Sequence, residues 1–350
     1  MNKTAITYRD KKVYVGIDVH KKTYSITASC DGEIVKRDTM RADINGLIGY
    51  LRKRFKGAII YSAYEAGFSG FGLHRGLVKS GISNIVVNAG SIEIAANDKV
   101  KTDRRDSRKI AEQLSRGVLQ GIYIPTEKEE LDRILTRSRK QIARQKSRVA
   151  NQIKSKLHYF GLIEADDERE ITNKYLLELE ARDLAPEIKY SLKLFIEQWR
   201  FYVVQLAEIR KKIDQQAKEN KDLEEVYRSV PGVGSISART LANELGDLSK
   251  RFSNEKRLFS YTGLTPSEHS SGEKVHKGHI SRQGASWLRD ILIEVAWRAI
   301  KKDGALLVAF ERIGRVRGKK RAIVAIARKL IGRIRACFRE GVTYQLGVCG

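Results

Sequence analysis

Apolar and polar positions along the chain change their rhythm twice. From Val13 to about Gly121, short apolar runs alternate with polar breaks. Val13 to Val19 is rich in β-formers, and Thr23 to Cys30 and Glu33 to Met40 follow it, joined by Asp31-Gly32, a hairpin-turn pair. Asn45 to Phe55 then predicts a helix, Ala58 to Ala63 a buried strand, Phe71 to Ser80 a helix and Asn84 to Asn88 a strand. Asp103 to Arg116 is helical, with Ile110 and Leu114 four apart on one face. A three-strand meander followed by alternating helices and strands predicts an α/β domain on a mixed sheet.

From Glu127 to about Arg228 the strand signal vanishes. Leu131 to Phe160 predicts one long helix and Tyr175 to Leu223 one or two more, interrupted by proline only at Pro186. Helices of this length and mixed charge predict an antiparallel hairpin, with the acidic stretch Glu164 to Glu170 at its tip or at a turn. A third, mainly helical region starts around Pro231 and ends in a basic tail. The expected domains are 1–124, 125–226 and 227–350, without internal repeats or low-complexity segments.

Charge narrows the class of partner. The 350 residues carry 67 Lys+Arg against 42 Asp+Glu, a net of +25, which makes a polyanion the first partner to consider. Hydrophobic residues at 41% and charged residues at 31% fit a globular protein. The longest apolar runs, Ala305 to Phe310 and Ala322 to Ala327, are too short to cross a bilayer, and Met1 to Lys12 holds no apolar leader core. Cys30, Cys337 and Cys349 are scattered, which excludes a disulfide framework and points to a reducing cytoplasm.

Four carboxylates in the first region carry candidate chemistry. Asp18 lies near the end of the first strand and Glu65 at the end of Ile59-Ile-Tyr-Ser-Ala-Tyr-Glu65. An acid in an apolar strand is expensive to bury unless a cation or hydrogen bonds compensate it. Asp103 and Asp106, three apart, share a face if their segment opens a helix. Four such groups brought to one point suit Mg²⁺, which prefers oxygen ligands and substrate phosphates. Singly, each has a plainer reading: helix N-terminal acids for the aspartate pair, a paired edge residue for Glu65, a turn acid for Asp18.

Between Arg133 and Lys156 there are nine basic residues and no acid. Arg133, Arg137, Lys140 and Arg144 make one helical stripe, with Arg148 beyond it. Such a run destabilises an isolated helix by about a few tenths of a kcal/mol per pair, so it predicts a phosphate-facing surface rather than a solvated one. Val230-Pro-Gly-Val-Gly-Ser235 looks like a helix-hairpin-helix turn whose Gly232 and Gly234 offer backbone N–H groups to phosphate, or else a plain inter-helix turn. From Lys301 onward, 13 Lys/Arg stand against Asp303, Glu311 and Glu340, a second basic footprint. His269, His276 and His279 lack the further ligands of a zinc site.

The strand order is that of an RNase H-like domain. Gly16-Ile-Asp-Val-His-Lys-Lys22, Tyr64-Glu-Ala-Gly67 and Lys101-Thr-Asp-Arg-Arg-Asp106 resemble the DEDD transposases, insertion-sequence recombinases with a RuvC-like N-terminal domain, some guided by a bridge RNA. Ser107 stands where alanine would be expected. The resemblance implies that Asp18, Glu65, Asp103 and Asp106 form the tetrad holding Mg²⁺. Downstream, Phe259-Ser-Tyr-Thr-Gly-Leu-Thr-Pro266, His269-Ser-Ser-Gly272 and Gly278-His-Ile-Ser-Arg-Gln-Gly284 resemble the family's C-terminal domain. By that match Ser271 is the nucleophile, with Ser270 its competitor, and Arg282 and Arg289 are candidates to grip the scissile phosphate. The family further implies DNA partners at element ends and target, a non-coding guide RNA, a homo-oligomer from dimer to tetramer, no membrane, and a cytoplasmic, nucleoid-associated setting. A Holliday-junction-resolvase-like nuclease, which needs the carboxylates but no serine, and a non-catalytic nucleic-acid-binding protein are the alternatives.

Overall fold

The computed structural model describes residues 7–93, 103–218, 221–268, 277–281 and 283–347, without the side chains of residues 103, 104 and 277. The chain divides into two compact units, residues 1–125 and 126–350. The first is built on β1 (Lys12–Val19), β2 (Thr23–Cys30), β3 (Glu33–Arg41), α1 (Ile44–Arg54), β4 (Ile59–Glu65), α2 (Gly72–Lys79), β5 (Ser83–Val87) and α3 (Asp103–Ser115). The sheet order is β3-β2-β1-β4-β5. The first three strands are antiparallel, whereas β4 runs parallel to β1 and β5 parallel to β4. The expected meander is therefore present, and its Asp31-Gly32 turn has both residues at positive φ, +53° and +84°, as a tight hairpin of this twist requires.

Strand alternation divides the residues between two faces. Val13, Val15 and Ile17 of β1, with Ile60 and Tyr64 of β4, pack on Leu47 and Leu51 of α1 and Leu73 and Leu77 of α2. Tyr14, Gly16 and Asp18 point the other way, where α3 lies. Gly16 makes that approach possible: a methyl there would overlap the Ser107 carbonyl oxygen and stand 2.5 Å from the Ala111 amide nitrogen. A smaller core of Ala63, Val87, Ile110 and Leu119 seals this face.

The second unit begins with α4 (Glu127–Tyr159), then α5 (Asn173–Glu180), α6 (Pro186–Ala217) and α7 (Lys221–Arg228). The long helix starts at Glu127, four residues before the expected Leu131, because Thr126 and Glu129 form a reciprocal capping box. Pro186 occupies the first turn of α6 and opens that helix instead of interrupting one. Val149, Ile153 and Leu157 near the end of α4 pack on Leu192, Ile196 and Trp199 near the start of α6. At the other end Gln216 donates to Asp132, so the two helices run antiparallel. The acidic stretch lies between α4 and α5, where the Arg169 guanidinium holds the Asp167 carboxyl down at about 2.

The remainder comprises α8 (Ser235–Leu245), α9 (Leu248–Arg251), α10 (Glu255–Tyr261), β6 (Pro266–Glu268), β7 (Lys277–Ile280), α11 (Ser286–Ala299), α12 (Gly304–Arg317) and α13 (Lys319–Glu340). Leu241, Leu258, Leu288, Leu292, Ile326 and Leu330 are among the residues that join them in one core. Asp303 caps α12 from a fully buried position, taking hydrogen bonds from the Leu306 and Gly347 amides, the Tyr344 hydroxyl and Arg333. Burial pushes this carboxyl up, but the bonds led by Tyr344 outweigh it and leave its pKa below the usual range. No helix among the described residues is long and apolar enough to cross a membrane, and Cys30 and Cys337 are buried free thiols.

Candidate active site

Register on the α3 face brings Asp18 and Glu65 to neighbouring strand ends. Tyr14 pairs with Tyr61 and Gly16 with Ala63 along the parallel β1–β4 ladder. The Tyr14 and Tyr61 rings stack at 5.4 Å, so this face is in step. Two residues further on, the same alternation sets Asp18 beside Glu65 at the carboxyl ends of strands about 4.8 Å apart. Asp18 is largely shielded, its side chain 20% exposed, and its Oδ2 lies 3.0 Å from His20 Nε2. Glu65 is exposed.

The helix α3 carries the other two acids. Its first turn begins at Asp103, of which the backbone alone is described. Asp106 immediately precedes Ser107, whose hydroxyl hydrogen-bonds Thr27 on β2 at 2.9 Å and whose carbonyl lies over Gly16. The Asp106 carboxylate has Lys109 at 3.8 Å. Ser107 also lines a polar cavity of about 410 Å³ with Ser25, Thr27, Arg37, Asp38 and Thr39. Ser25 pairs with Asp18 across the β1–β2 ladder. Among the described residues no three Asp, Glu, His or Cys side chains gather closely enough to hold a metal ion.

The basic stripe on α4 departs from expectation. Arg133 is buried and donates to the Asn243 carbonyl at 2.9 Å. Arg137 grips Glu244 with two bonds, at 2.6 and 2.9 Å. Lys140 reaches the Trp287 carbonyl at 3.3 Å and Asp290 at 3.6 Å. These three cations thus anchor α8 and α11; Arg133 is shut away from any phosphate-facing surface, whereas Arg137 stays half-exposed and Lys140 also lines an open groove. The cause is Glu244: its side chain is 1% exposed, and a carboxylate that deep demands cationic partners. Glu244 in turn raises the Arg137 pKa, while burial lowers that of Lys140. Lys146 and Lys156 lie over the rings of Trp199 and Phe195. Arg144 and Arg148 face outward, lining with Lys140 an open groove of about 630 Å³ that also includes Ser147, Asn151, Gln152 and Ser155. Sequence reasoning missed Asn243, Glu244 and Trp287 as partners. The one available signal was Glu244 itself, an acid directly before Leu245 on a helix whose apolar positions include Ala238, Leu241 and Leu245.

Two further residues expected to meet phosphate make contacts within this unit. Gly232, at φ +86°, abuts α11, with its Cβ position 3.3 Å from the Val295 carbonyl, so this part of the turn is packed inward rather than toward phosphate. Gly234 is open but caps α8, where Arg210 donates to the Ser235 hydroxyl at 2.6 Å. Arg289 is half-buried and donates to the Gly263 carbonyl at 3.3 Å, an intramolecular use of the guanidinium. Ser270, Ser271 and Arg282 lie outside the described residues; β6 and β7, which bracket the serines, pair antiparallel.

The mixed sheet with its acid-bearing helix, followed by a mostly helical unit, is consistent with an RNase H-like DEDD domain and its C-terminal partner. Residues 15–160 match the DEDD transposase family model of the IS110 type, and residues 224–310 match the transposase family named for IS116, IS110 and IS902. The transposase for insertion sequence element IS1111A of Coxiella burnetii is 30% identical over 71% of this chain and 69% of its own length. That for IS1533 of Leptospira borgpetersenii is 28% identical over 94% of this chain and 96% of its own. The chain belongs to the IS110-type DEDD transposase family.

Proposed function

We propose that this chain is a DNA recombinase that mobilises an insertion sequence, cutting and rejoining strands through a serine and a carboxylate tetrad. The observation that carries the reading is the placement of Asp18 and Glu65 on one face, at the ends of adjacent parallel strands, under the helix that bears Asp103 and Asp106. An all-oxygen donor set from two strands and one helix fits a hard divalent cation, and these four residues would hold Mg²⁺. When bound, Mg²⁺ offsets the charge that develops on the phosphate oxygens.

The Ser271 hydroxyl attacks a DNA phosphodiester, forming one P–O bond to serine as one P–O bond in DNA breaks. The leaving DNA oxygen takes up a proton, and the serine's own proton passes to a base or to water. Because one ester replaces another, the phosphoserine link conserves the bond for rejoining. The antiparallel α4–α6 pair is read as a coiled-coil hairpin within a dimeric or tetrameric assembly. Lys140, Arg144 and Arg148, which line one open groove, are the members of the basic stripe left to meet nucleic acid, DNA or a guide RNA, with Gly234 and Arg282 as further candidates.

Trapping the full chain on labelled DNA with Mg²⁺ and mapping the attached peptide tests this. Attachment at Ser271, lost in Ser271→Ala, is expected. Attachment at Ser270 moves the nucleophile by one residue. Continued cutting by Ser271→Ala without any adduct would replace the recombinase with a hydrolytic nuclease.

A further inference from the structure

Glu65 ends β4, and the chain reaches α2 through Ala66-Gly-Phe-Ser-Gly-Phe71. Both ends of this bridge are fixed. The Ala66 amide donates to the Val87 carbonyl at 2.8 Å, and Ala66 and Phe71 pack against the main core of the first unit. The hydroxyl of buried Tyr64 donates to the Gly70 carbonyl at 3.2 Å and receives the His74 amide at 3.3 Å. Gly70, at φ +63°, turns the backbone where a side chain would be strained.

Between these anchors Phe68 stands 72% exposed, the most exposed large apolar side chain among the described residues of the first unit. Its chain neighbours Gly67, Ser69 and Gly70 are small, so the chain beside the ring screens little of it from a flat partner. Three residues of backbone span at most about 10 Å between Cα atoms, which with the reach of the two side chains keeps the ring within a few stacked bases of any phosphate held at Glu65. A backbone fixed at both ends also loses little freedom when its tip is engaged.

We propose that Phe68 stacks on a nucleobase beside the scissile phosphate, a positioning residue for the recombination proposed above, on which this inference rests. A phenyl ring stacks on any base, so it would hold the strand in register with the carboxylates without reading its sequence. The net charge of +25 favours the polyanion over an apolar protein partner for an aromatic beside this centre.

The test uses the full chain and DNA spanning the junctions that flank its own coding sequence, with 2-aminopurine replacing each base in turn. Wild type should quench emission at one position adjoining the cut, and Phe68→Trp should keep that quench. Phe68→Ala and Phe68→Leu should abolish it and weaken DNA binding by roughly tenfold or more. Unchanged quenching in Phe68→Ala overturns the proposal. So does rescue by leucine equal to that by tryptophan, or an altered oligomeric state with quenching intact, which would make the ring a protein contact. Asp18→Asn separates the two readings: it should stop cutting and keep the quench. Cutting that survives Asp18→Asn defeats the tetrad reading and leaves the stacking result to stand on its own.

Discussion

Replacing Arg137 by alanine tests whether the basic stripe on α4 serves the fold or a ligand. Arg137 makes two charged hydrogen bonds to Glu244, a carboxylate shut away from solvent. Removing one partner of a fully buried pair costs about 3–5 kcal/mol. Arg137 is itself half-exposed, and Arg133 remains 3.9 Å from Glu244, so the loss is smaller, about 2 kcal/mol. For a unit of this size that lowers the melting midpoint by about 4–8 °C. All three tryptophans, Trp199, Trp287 and Trp297, lie in the second unit, so intrinsic fluorescence follows its unfolding without interference from the first. Arg144→Ala is the comparison: it lines an open groove, and its effect on stability should stay within about 0.5 kcal/mol. In nucleic-acid binding the order reverses, with Arg144→Ala reducing the slope of log affinity against log salt by about one. An unaltered melt for Arg137→Ala together with a reduced salt slope would refute the assignment of this cation to the fold.

Two further substitutions probe how the candidate site is held. Gly16→Ala should destabilise the first unit by about 2–3 kcal/mol and lower DNA cutting with it, because the added methyl meets the α3 backbone at Ser107 and Ala111. Gly49→Ala on open α1 surface should be neutral or stabilising, and circular dichroism melts of the two variants check the contrast. Asp303 has a folded pKa below its ordinary value, so its contribution is present above about pH 4 and is lost as the pH falls through the folded value. Asp303→Asn should cost about 3 kcal/mol at neutral pH and flatten the acid limb of a tryptophan-fluorescence stability profile; an unchanged acid limb would remove Asp303 from that account.

The sheet was legible in the sequence because strand alternation and the Asp31-Gly32 turn are local signals. Asp18 and Glu65 stood out for the same reason, as acids at the ends of apolar strands, and the parallel β1–β4 register then follows from the topology. The destination of Arg133, Arg137 and Lys140 was not legible. Their partners Asn243, Glu244 and Asp290 lie more than a hundred residues along the chain, and a run of like charge says that a counter-charge exists without saying whether it is phosphate or carboxylate. The inward-facing Gly232 was hidden likewise, since a turn sequence does not reveal which helix will lie across it. Phe68 drew no notice because exposure, rather than residue type, is what sets it apart.

The proposed metal centre is tested most directly by Mn²⁺ titration of the full chain, followed by electron paramagnetic resonance of the free ion. Wild type should bind Mn²⁺, and Asp18→Asn, Glu65→Gln, Asp103→Asn and Asp106→Asn should each weaken binding at least tenfold. Undiminished binding in either Asp18→Asn or Glu65→Gln would show that the two strand ends do not share one ion, and would contradict the account.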